Sequence, residues 1–234
     1  MGLTLVVTAV DVERDAVADG VGEPHEVSVG PYRHARRCET DGNDVLVVAG
    51  GVGPAAAAAA TSYAVATYDV THVLSMGIAG AFPSAGLASG AVALASVIVA
   101  ADLGAMTPER FLDLEAMGLD GGATVSSDPG MLAVARAGLE RSGLTVAMGP
   151  MLTLSTITGT TERAAELMAQ HGAVAEAMEG AGVAHVAALH RIPVLELRTI
   201  SNQVGARDRA SWDILGALTA LTTAAGAVLC PGWS

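Results

Sequence analysis

Residues 176–213 read EAMEGAGVAHVAALHRIPVLELRTISNQVGARDRASWD, and this stretch predicts one helix followed by one buried strand. The acid Glu179 stands at the start of the helix, and residues 193–200 form the apolar strand. We expect a polar loop to open at Ser201 and Asn202. Because ligands of α/β sheets bind at the carboxyl ends of strands, the acid and the amide are expected to share a crevice there.

The rest of the chain repeats this alternation of apolar strands and helices. Its strands are apolar throughout, which is typical of a sheet covered on both faces. We therefore predict one α/β domain over residues 1–234, a three-layer α/β/α sandwich with a central mixed, largely parallel twisted sheet. Further strands are expected at residues 3–9, 44–49, 71–76, 91–101, 145–155 (a pair interrupted at Pro150) and 173–177, with a hairpin over 26–40. Further helices are expected at 11–17, 54–68, 129–142, 161–171 and 211–229, and a loop at 102–127.

The charge of the chain excludes several classes of function. The formal net charge is −12, which argues against nucleic acid or an anionic membrane as a partner. All 12 basic residues are arginine, so there is no lysine for a phosphate-binding P-loop or a Schiff base.

Cys38 and Cys230 lie far apart and form no metal-binding spacing, and we expect two buried free thiols. We expect no cofactor and no metal.

The sequence also gives an expectation of localisation. The first residues lack the basic segment of a signal peptide. Two long uncharged stretches are not interpreted as membrane spans. Residues 70–101 are expected to form short strands with a turn between them, and residues 214–234 a helix with one apolar face. We expect a soluble, cytoplasmic protein.

Residues 44–57 (DVLVVAGGVGPAAA) imitate a dinucleotide-binding fingerprint. Such a site needs an acid at the end of the next strand to hold a ribose, but that strand ends in Ser75, Met76 and Gly77. Pro54 also stands where a pyrophosphate would meet helix N–H groups. We interpret these glycines as a tight turn with close helix–strand packing.

Three motifs spread over nearly the whole chain resemble the purine nucleosidase/phosphorylase superfamily, and within it the methylthioadenosine/S-adenosylhomocysteine nucleosidases and the futalosine hydrolases. The first is an acidic helix start after a strand, TAVDVE at residues 8–13. The second is a pair of glycine turns, at 50–53 and 75–80. The third and most specific joins AME at 177–179 to ISN at 200–202.

The resemblance implies a role for each motif in cleaving an N-glycosidic bond. Glu13 would act as the general base that activates water, Glu179 would bind the ribose hydroxyls, and Met178 would pack against the sugar. Asn202 would bind the base. The alternatives are that both acids are surface residues favoured by helix dipoles, that Met178 fills the core and that Asn202 is a turn residue.

Asn202 departs from the adenine-specific members of the family, which carry Asp at this position. An amide NH2 group donates to N7 or to a 6-oxo oxygen, so Asn fits hypoxanthine or guanine better than adenine. It supports the leaving base by hydrogen bonding and cannot deliver a proton. Ser201 is expected to orient this amide from behind.

Other substrate contacts are expected from the same motifs. The second glycine turn would place Gly77 and Ile78 beside the substrate. Thr156 and Ile157 align with the family's base-stacking segment, although core or turn roles fit them equally well.

A further set of candidates concerns the acidic chain of futalosine, whose ribose carries a benzoate-bearing substituent. Arg207 and Arg209 are candidates for its carboxylate, and Arg33, Arg36 and Arg37 are others that would reach a neighbouring subunit. The alternative is that all five are solvated surface charges. His185 and His190 are interpreted as packing or surface residues, because their spacing does not suit a metal.

The choice between hydrolysis and phosphorolysis depends on arginines. Phosphorylases of the family hold phosphate with an arginine just before the middle glycine turn, where this chain has Ser75; Arg14 remains a second possibility. The resemblance therefore implies an N-ribosyl hydrolase that releases hypoxanthine from futalosine, acting as a homo-oligomer. The alternatives are a methylthioadenosine-type nucleosidase, a purine nucleoside phosphorylase, or a nucleoside-binding protein without activity.

Overall fold

A mixed β-sheet forms the centre of the protein, whose computed structural model describes residues 2–40, 43–119 and 121–230 apart from the side chain of Arg33. The strands are β1 Leu3–Thr8, β2 His25–Val29, β3 Tyr32–Thr40, β4 Asn43–Ala49, β5 Val70–Ala81, β6 Val92–Ala100, β7 Gly104–Met106, β8 Phe111–Asp113, β9 Thr124–Ser126, β10 Val146–Thr153, β11 Ala175–Ala177 and β12 Val194–Gln203. The α-helices are α1 Asp11–Val21, α2 Pro54–Thr67, α3 Pro129–Arg141, α4 Thr161–His171, α5 Gly180–His190 and α6 Ile214–Leu229.

The sheet order is β11-β10-β6-β12-β5-β1-β4-β3-β2, with β9 beside β6 and with β7 and β8 paired separately. Strands β4, β1, β5 and β12 run parallel, whereas β12 and β6 are antiparallel. One hydrophobic core lies between the sheet and helices α2 and α5, and a second lies between the sheet and helices α1, α3 and α6. The predicted three-layer α/β/α sandwich with a mixed sheet is confirmed.

The composition of the chain explains how these layers pack. Hydrophobic residues make up 51% of the sequence but aromatic residues only 3%, so the layers approach closely through small side chains. In α2, Pro54 occupies the first turn, where its missing N–H costs nothing, and the buried Ala57, Ala60 and Ala64 follow at helical spacing. All six residues of β1 are buried, and each fully buried Val or Leu contributes roughly 1.5–3 kcal/mol.

Two segments that the sequence predicts as a turn and a loop belong to continuous strands instead. Both segments lie at the site. The second glycine turn does not exist, because β5 continues to Ala81 and pairs with β12 along its whole second half. Likewise β12 continues to Gln203, so Ser201 and Asn202 lie in a strand and not in a loop. A shift of register between Ile200 and Asn202 re-aims the last side chains of this strand, as β-bulges do.

Smaller differences lie outside the site. Residues 102–127 contain three short strands, and α1 runs four residues further than expected, to Val21. The predicted strand pair at Pro150 is one strand with a register shift between Gly149 and Pro150. Both thiols are free, but only Cys38 is buried, and Cys230 is exposed. Within the described ranges, no helix is long and apolar enough to cross a membrane.

Candidate active site

A cavity of about 230 Å³ lies where β1, β5, β11 and β12 end. Side chains from opposite ends of the sequence meet in it, because the parallel strands β1, β5 and β12 present their carboxyl ends at one edge of the sheet. The residues that line the cavity include Glu13, Ile78, Gly80, Ile157, Glu176, Met178, Glu179, Ser201, Asn202 and Trp212.

Glu13 is held in this cavity by backbone groups of the link between β1 and α1 and of strand β5. It lies in the first turn of α1, and its Oε2 accepts hydrogen bonds from the N–H groups of Ala9 at 2.9 Å and Val10 at 3.3 Å. Its Oε1 accepts from the N–H of Ile78 at 2.9 Å. Only 4% of the residue is exposed, so it is not the surface acid of the alternative interpretation.

The surroundings of Glu13 alter its acidity. Burial raises the pKa of Glu13 above its ordinary value of 4.5, although the positive charge of Arg198 and the N–H of Ile78 oppose the shift. A carboxylate whose pKa lies closer to neutrality is a stronger base when ionised. The position and the pKa of Glu13 therefore both suit a general base.

The guanidinium of Arg198 is the centre of a buried charge network that the sequence interpretation missed. Its Nη1 lies 3.2 Å from Oε2 of Glu179, its Nε donates to Oε1 of Glu196 at 2.9 Å, and its Nη2 donates to Ser75 Oγ at 2.9 Å. Arg198 and Glu196 are 1% and 0% exposed. The available signal was a pair of opposite charges two residues apart in an otherwise apolar strand, which places both on one buried face.

Glu179 stands at the start of α5, as predicted, and is 4% exposed. Its Oε1 accepts a hydrogen bond from the N–H of Gly53 at 3.2 Å. Gly53 has a φ of 92°, a left-handed conformation that favours glycine, so the first glycine turn exists as predicted. The N–H of Gly53 thus donates to the carboxylate of Glu179, and the next residue, Pro54, has no N–H to offer a ligand.

Asn202 is half-buried in the cavity wall, next to Ser201. The Ser201 hydroxyl lies 2.8 Å from Asn202 Oδ1 and 3.2 Å from the carbonyl oxygen of Ala79, and its single proton serves one acceptor at a time. The amide nitrogen of Asn202 donates to the carbonyl oxygen of Gln203 at 3.0 Å. Its second N–H is left to donate to a ligand.

Glu176 is a second acid that the sequence interpretation assigned no role. Its two oxygens accept from the N–H of Thr158 at 2.9 Å and from the hydroxyl of Thr158 at 2.6 Å. The residue is 7% exposed, and burial raises the pKa of Glu176, against the effect of the Thr158 hydrogen bonds. No sequence motif could identify it, because its partner lies on a different element.

The remaining candidates divide into those at the cavity and those outside it. Met178, Ile78 and Ile157 line it, and 44% of Ile157 is exposed. Gly77 lies behind the wall, and Thr156 is exposed and does not line the cavity.

Two arginines lie close to an aromatic residue of the cavity wall. The guanidinium carbons of Arg207 and Arg209 lie 5.7 Å and 5.8 Å from the ring centroid of Trp212, within cation–π distance. Trp212 itself lines the cavity, although it was not singled out from the sequence.

Other arginines have partners elsewhere. Arg14 pairs with Asp11 and Asp15 and lines a separate cleft, so its suggested role toward phosphate is not supported. Arg36 pairs with Asp15 and Glu26, and Arg37 pairs with Asp44. The side chain of Arg33 lies outside the description. Within the described ranges, no group of three or more His, Cys, Asp or Glu residues is placed to hold a metal ion.

Comparisons with known proteins show what this chain is similar to. The family model described as "Phosphorylase superfamily" matches residues 4–230. A futalosine hydrolase of Streptomyces coelicolor is 48% identical over 231 residues, covering 95% of this chain and 93% of the relative. A futalosine hydrolase of Acidothermus cellulolyticus is 43% identical, covering 97% and 91% of the two chains.

Two solved structures share the fold. The futalosine hydrolase of Helicobacter pylori superposes with a TM-score of 0.84 at 18% identity, covering 97% of both chains. The 5'-methylthioadenosine/S-adenosylhomocysteine nucleosidase of Neisseria meningitidis, in complex with methylthio-immucillin-A, gives a TM-score of 0.85 at 20% identity, covering 99% of this chain and 100% of the other.

Proposed function

Because this chain belongs to the phosphorylase superfamily, we propose that it is an N-ribosyl hydrolase that cleaves futalosine and releases hypoxanthine. The observation that carries the proposal is that Glu13, Glu179 and Asn202 open into one cavity. These three groups supply a base, a partner for the ribose and a donor for the leaving base. We take residues 1–234 as the one domain that performs the reaction.

The proposed reaction breaks the bond between the anomeric carbon and the base nitrogen, and forms a bond from that carbon to a water oxygen. Glu13 takes the proton of the attacking water. Glu179 accepts hydrogen bonds from the ribose hydroxyls, and these bonds strengthen as the sugar gains oxocarbenium character. The Asn202 N–H donates to the departing base, which then takes a proton from solvent.

Arg198 supports this arrangement from behind the cavity. It lies among the carboxylates of Glu13, Glu179 and Glu196, and its ion pair with Glu179 fixes the carboxylate that faces the ribose. A buried carboxylate without such a partner would tend to take up a proton and lose its role as an acceptor. Arg198 is thus a positioning residue for the sugar site.

The charge of the cavity favours water over phosphate as the nucleophile. Among the described residues, those that line it include three acids, Glu13, Glu176 and Glu179, and no arginine. The nearest buried cation, Arg198, is already bound to Glu179, Glu196 and Ser75. A phosphate ion would meet like charge without a free partner.

We assign the carboxylate of futalosine to the side of the cavity that Trp212 lines. Arg207 and Arg209 both precede Trp212 in the sequence and lie within reach of its ring, so the benzoate would meet one aromatic surface and two cations there. This assignment adds a positive rim to a cavity whose interior is acidic.

The proposal is tested by incubating the protein with futalosine, inosine and methylthioadenosine, with and without phosphate, and measuring the released base. We expect hypoxanthine from futalosine at a rate independent of phosphate. Release that requires phosphate would indicate a phosphorylase, and preferential release of adenine would indicate a methylthioadenosine-type nucleosidase. No release from any of the three would favour a binding protein.

The proposal extends to assembly and compartment. We propose a homo-oligomer of two or more copies, and exposed apolar side chains such as Tyr63, Leu103, Met106 and Leu189 are candidates for the contact between copies. The two free thiols, Cys38 and Cys230, suit the reducing cytoplasm. Light scattering after size-exclusion chromatography tests the homo-oligomer, because a monomer at micromolar concentration would refute it. Cell fractionation tests the cytoplasmic location.

A further inference from the structure

Gly80 stands at the centre of a row of three residues on neighbouring strands. It pairs with Glu176 of β11 on one side and with Asn202 of β12 on the other. All three residues line the cavity. The Cα atoms of the outer two are about 10 Å apart, since adjacent strands lie about 4.8 Å apart.

Glycine in the middle of this row leaves a gap between the two polar side chains. A Cβ added to Gly80 would lie 3.1 Å from Nδ2 of Asn202 and 3.0 Å from Cγ2 of Val204. Any larger residue would therefore occupy the space beside the Asn202 amide. The gap opens between an amide on one side and a carboxylate on the other, so a flat ring that lies over Gly80 would meet a donor at one edge and an acceptor at the other.

The Glu176 carboxylate has acceptor capacity to spare. Thr158 donates once to each of its oxygens, at 2.9 Å and 2.6 Å. An ionised carboxylate offers about four acceptor positions, so about two remain available to a ligand. A buried carboxylate with open acceptor positions favours a ligand that presents an N–H at this point.

We propose that Glu176 is a specificity-determining residue that accepts a hydrogen bond from the N1–H of a 6-oxopurine while Asn202 donates to its O6 and N7 edge. The inference rests on the proposed function, which makes the base a 6-oxopurine. Hypoxanthine carries a hydrogen on N1, whereas N1 of adenine is a bare acceptor and meets the carboxylate with like polarity. Glu176 and Asn202, on opposite sides of Gly80, thus both favour a base with a hydrogen on N1 and an oxygen at position 6.

Glu176 has a second role in the structure, which the test must separate from the first. By holding Thr158 it fixes the segment that carries Ile157, a lining residue. If this were its whole contribution, loss of the Thr158 hydroxyl would have the same effect on base preference as loss of the carboxylate. Thr158→Val removes one hydrogen bond and leaves the carboxylate in the cavity.

The variant Glu176→Gln keeps the size of the side chain and changes what it presents to the base. The N–H of Thr158 can only donate, so the amide oxygen stays with it. The Thr158 hydroxyl can turn to accept from the new NH2 group, whose second hydrogen then points to the cavity. Gln at this position offers a donor where the wild-type protein offers an acceptor.

The experiment measures binding of hypoxanthine, 1-methylhypoxanthine and adenine to the full-length protein by titration calorimetry, with circular dichroism to verify folding. We expect the wild-type protein to prefer hypoxanthine over both other bases by at least about tenfold, since one well-placed hydrogen bond to a base edge discriminates by about that factor or more. Glu176→Gln should reduce both preferences to about threefold or less, whereas Thr158→Val should keep them.

The inference is overturned by a wild-type protein that binds 1-methylhypoxanthine or adenine as tightly as hypoxanthine, by a Glu176→Gln variant with unchanged preference, or by a Thr158→Val variant that loses preference equally. Base preference as expected without futalosine hydrolysis would support this inference and refute the proposed function. Hydrolysis of futalosine with a base preference unaffected by Glu176→Gln would do the reverse.

Discussion

The Glu13 carboxylate and the Arg198 guanidinium approach each other beside the backbone of Gly77. A Cβ added to Gly77 would lie 2.5 Å from Glu13 Oε1 and 2.8 Å from Arg198 Nη1, closer than carbon atoms approach such groups. The glycine therefore makes room for the proposed base and the cation that balances its charge. Glu13 belongs to α1, which follows β1, and Arg198 belongs to β12. Strand β5, which carries Gly77, lies between β1 and β12 in the sheet, so the fold itself brings the two side chains together.

Replacing the proposed base should reduce turnover strongly. Glu13→Gln preserves size and can keep contacts with the backbone, but it cannot take a proton. We expect kcat for futalosine to fall by roughly 100-fold or more, as loss of a general base does. Asp11→Asn is the matched control, because Asp11 lies in the same helical turn with a side chain 70% exposed and outside the cavity. Wild-type turnover in Glu13→Gln would remove this residue from the mechanism.

The pH dependence of the reaction should report the environment of Glu13. Only the ionised carboxylate acts as a base, so activity falls as the pH drops through its pKa. Because burial raises the pKa of Glu13, the acidic limb of kcat/KM should lie above the ordinary value of 4.5. A pH–rate profile measures this limb, and Asp11→Asn should leave it in place. A limb at or below 4.5 would contradict the assignment.

Changing the proposed base-binding amide to an acid should alter substrate preference. A protonated Asp at this position can donate to N7, accept from a 6-amino group and deliver its proton to the departing base, and an amide cannot take the last of these roles. We expect Asn202→Asp to raise the ratio of kcat/KM for methylthioadenosine over futalosine by about tenfold. Comparison of the two substrates in one preparation makes the ratio independent of protein concentration. An unchanged ratio would count against base recognition at this position.

The network around Arg198 should matter for stability as well as for function. Arg198→Met would leave Glu179 and Glu196 buried without their cation, a change that typically costs about 3–5 kcal/mol. Chemical denaturation measures the loss in the free energy of unfolding. The matched control is Arg136→Met, which breaks an exposed pair with Glu140 and should cost less than about 1 kcal/mol. Equal effects of the two substitutions would show that the buried network contributes little.

Much of the fold was predictable from local patterns. Helix α5 begins and ends where the sequence indicates, because a mainly apolar stretch is bounded by an acid and by Arg191 and Pro193. The buried strands were predictable because continuous apolar runs are typical of sheets covered on both faces. These signals depend only on neighbours in sequence.

The parts that could not be predicted depend on contacts between distant residues. Gly77 and Gly80 are interpreted as a turn from sequence because glycine is frequent in turns, yet here they lie in a strand beside the side chains of Glu13 and Asn202. Glu176 had no assigned role for the same reason, since its partner Thr158 belongs to another segment. Only the folded arrangement shows that a glycine is needed for space and not for backbone conformation.

The most direct test of the central claim, that Glu13 activates water in this cavity, is to carry out the reaction in ¹⁸O-labelled water with phosphate present. Mass spectrometry of the sugar product then identifies the nucleophile. The account predicts one labelled oxygen at the anomeric carbon of every product molecule, free hypoxanthine and no sugar phosphate. A sugar phosphate, or a product without the label formed before exchange with solvent, would contradict it.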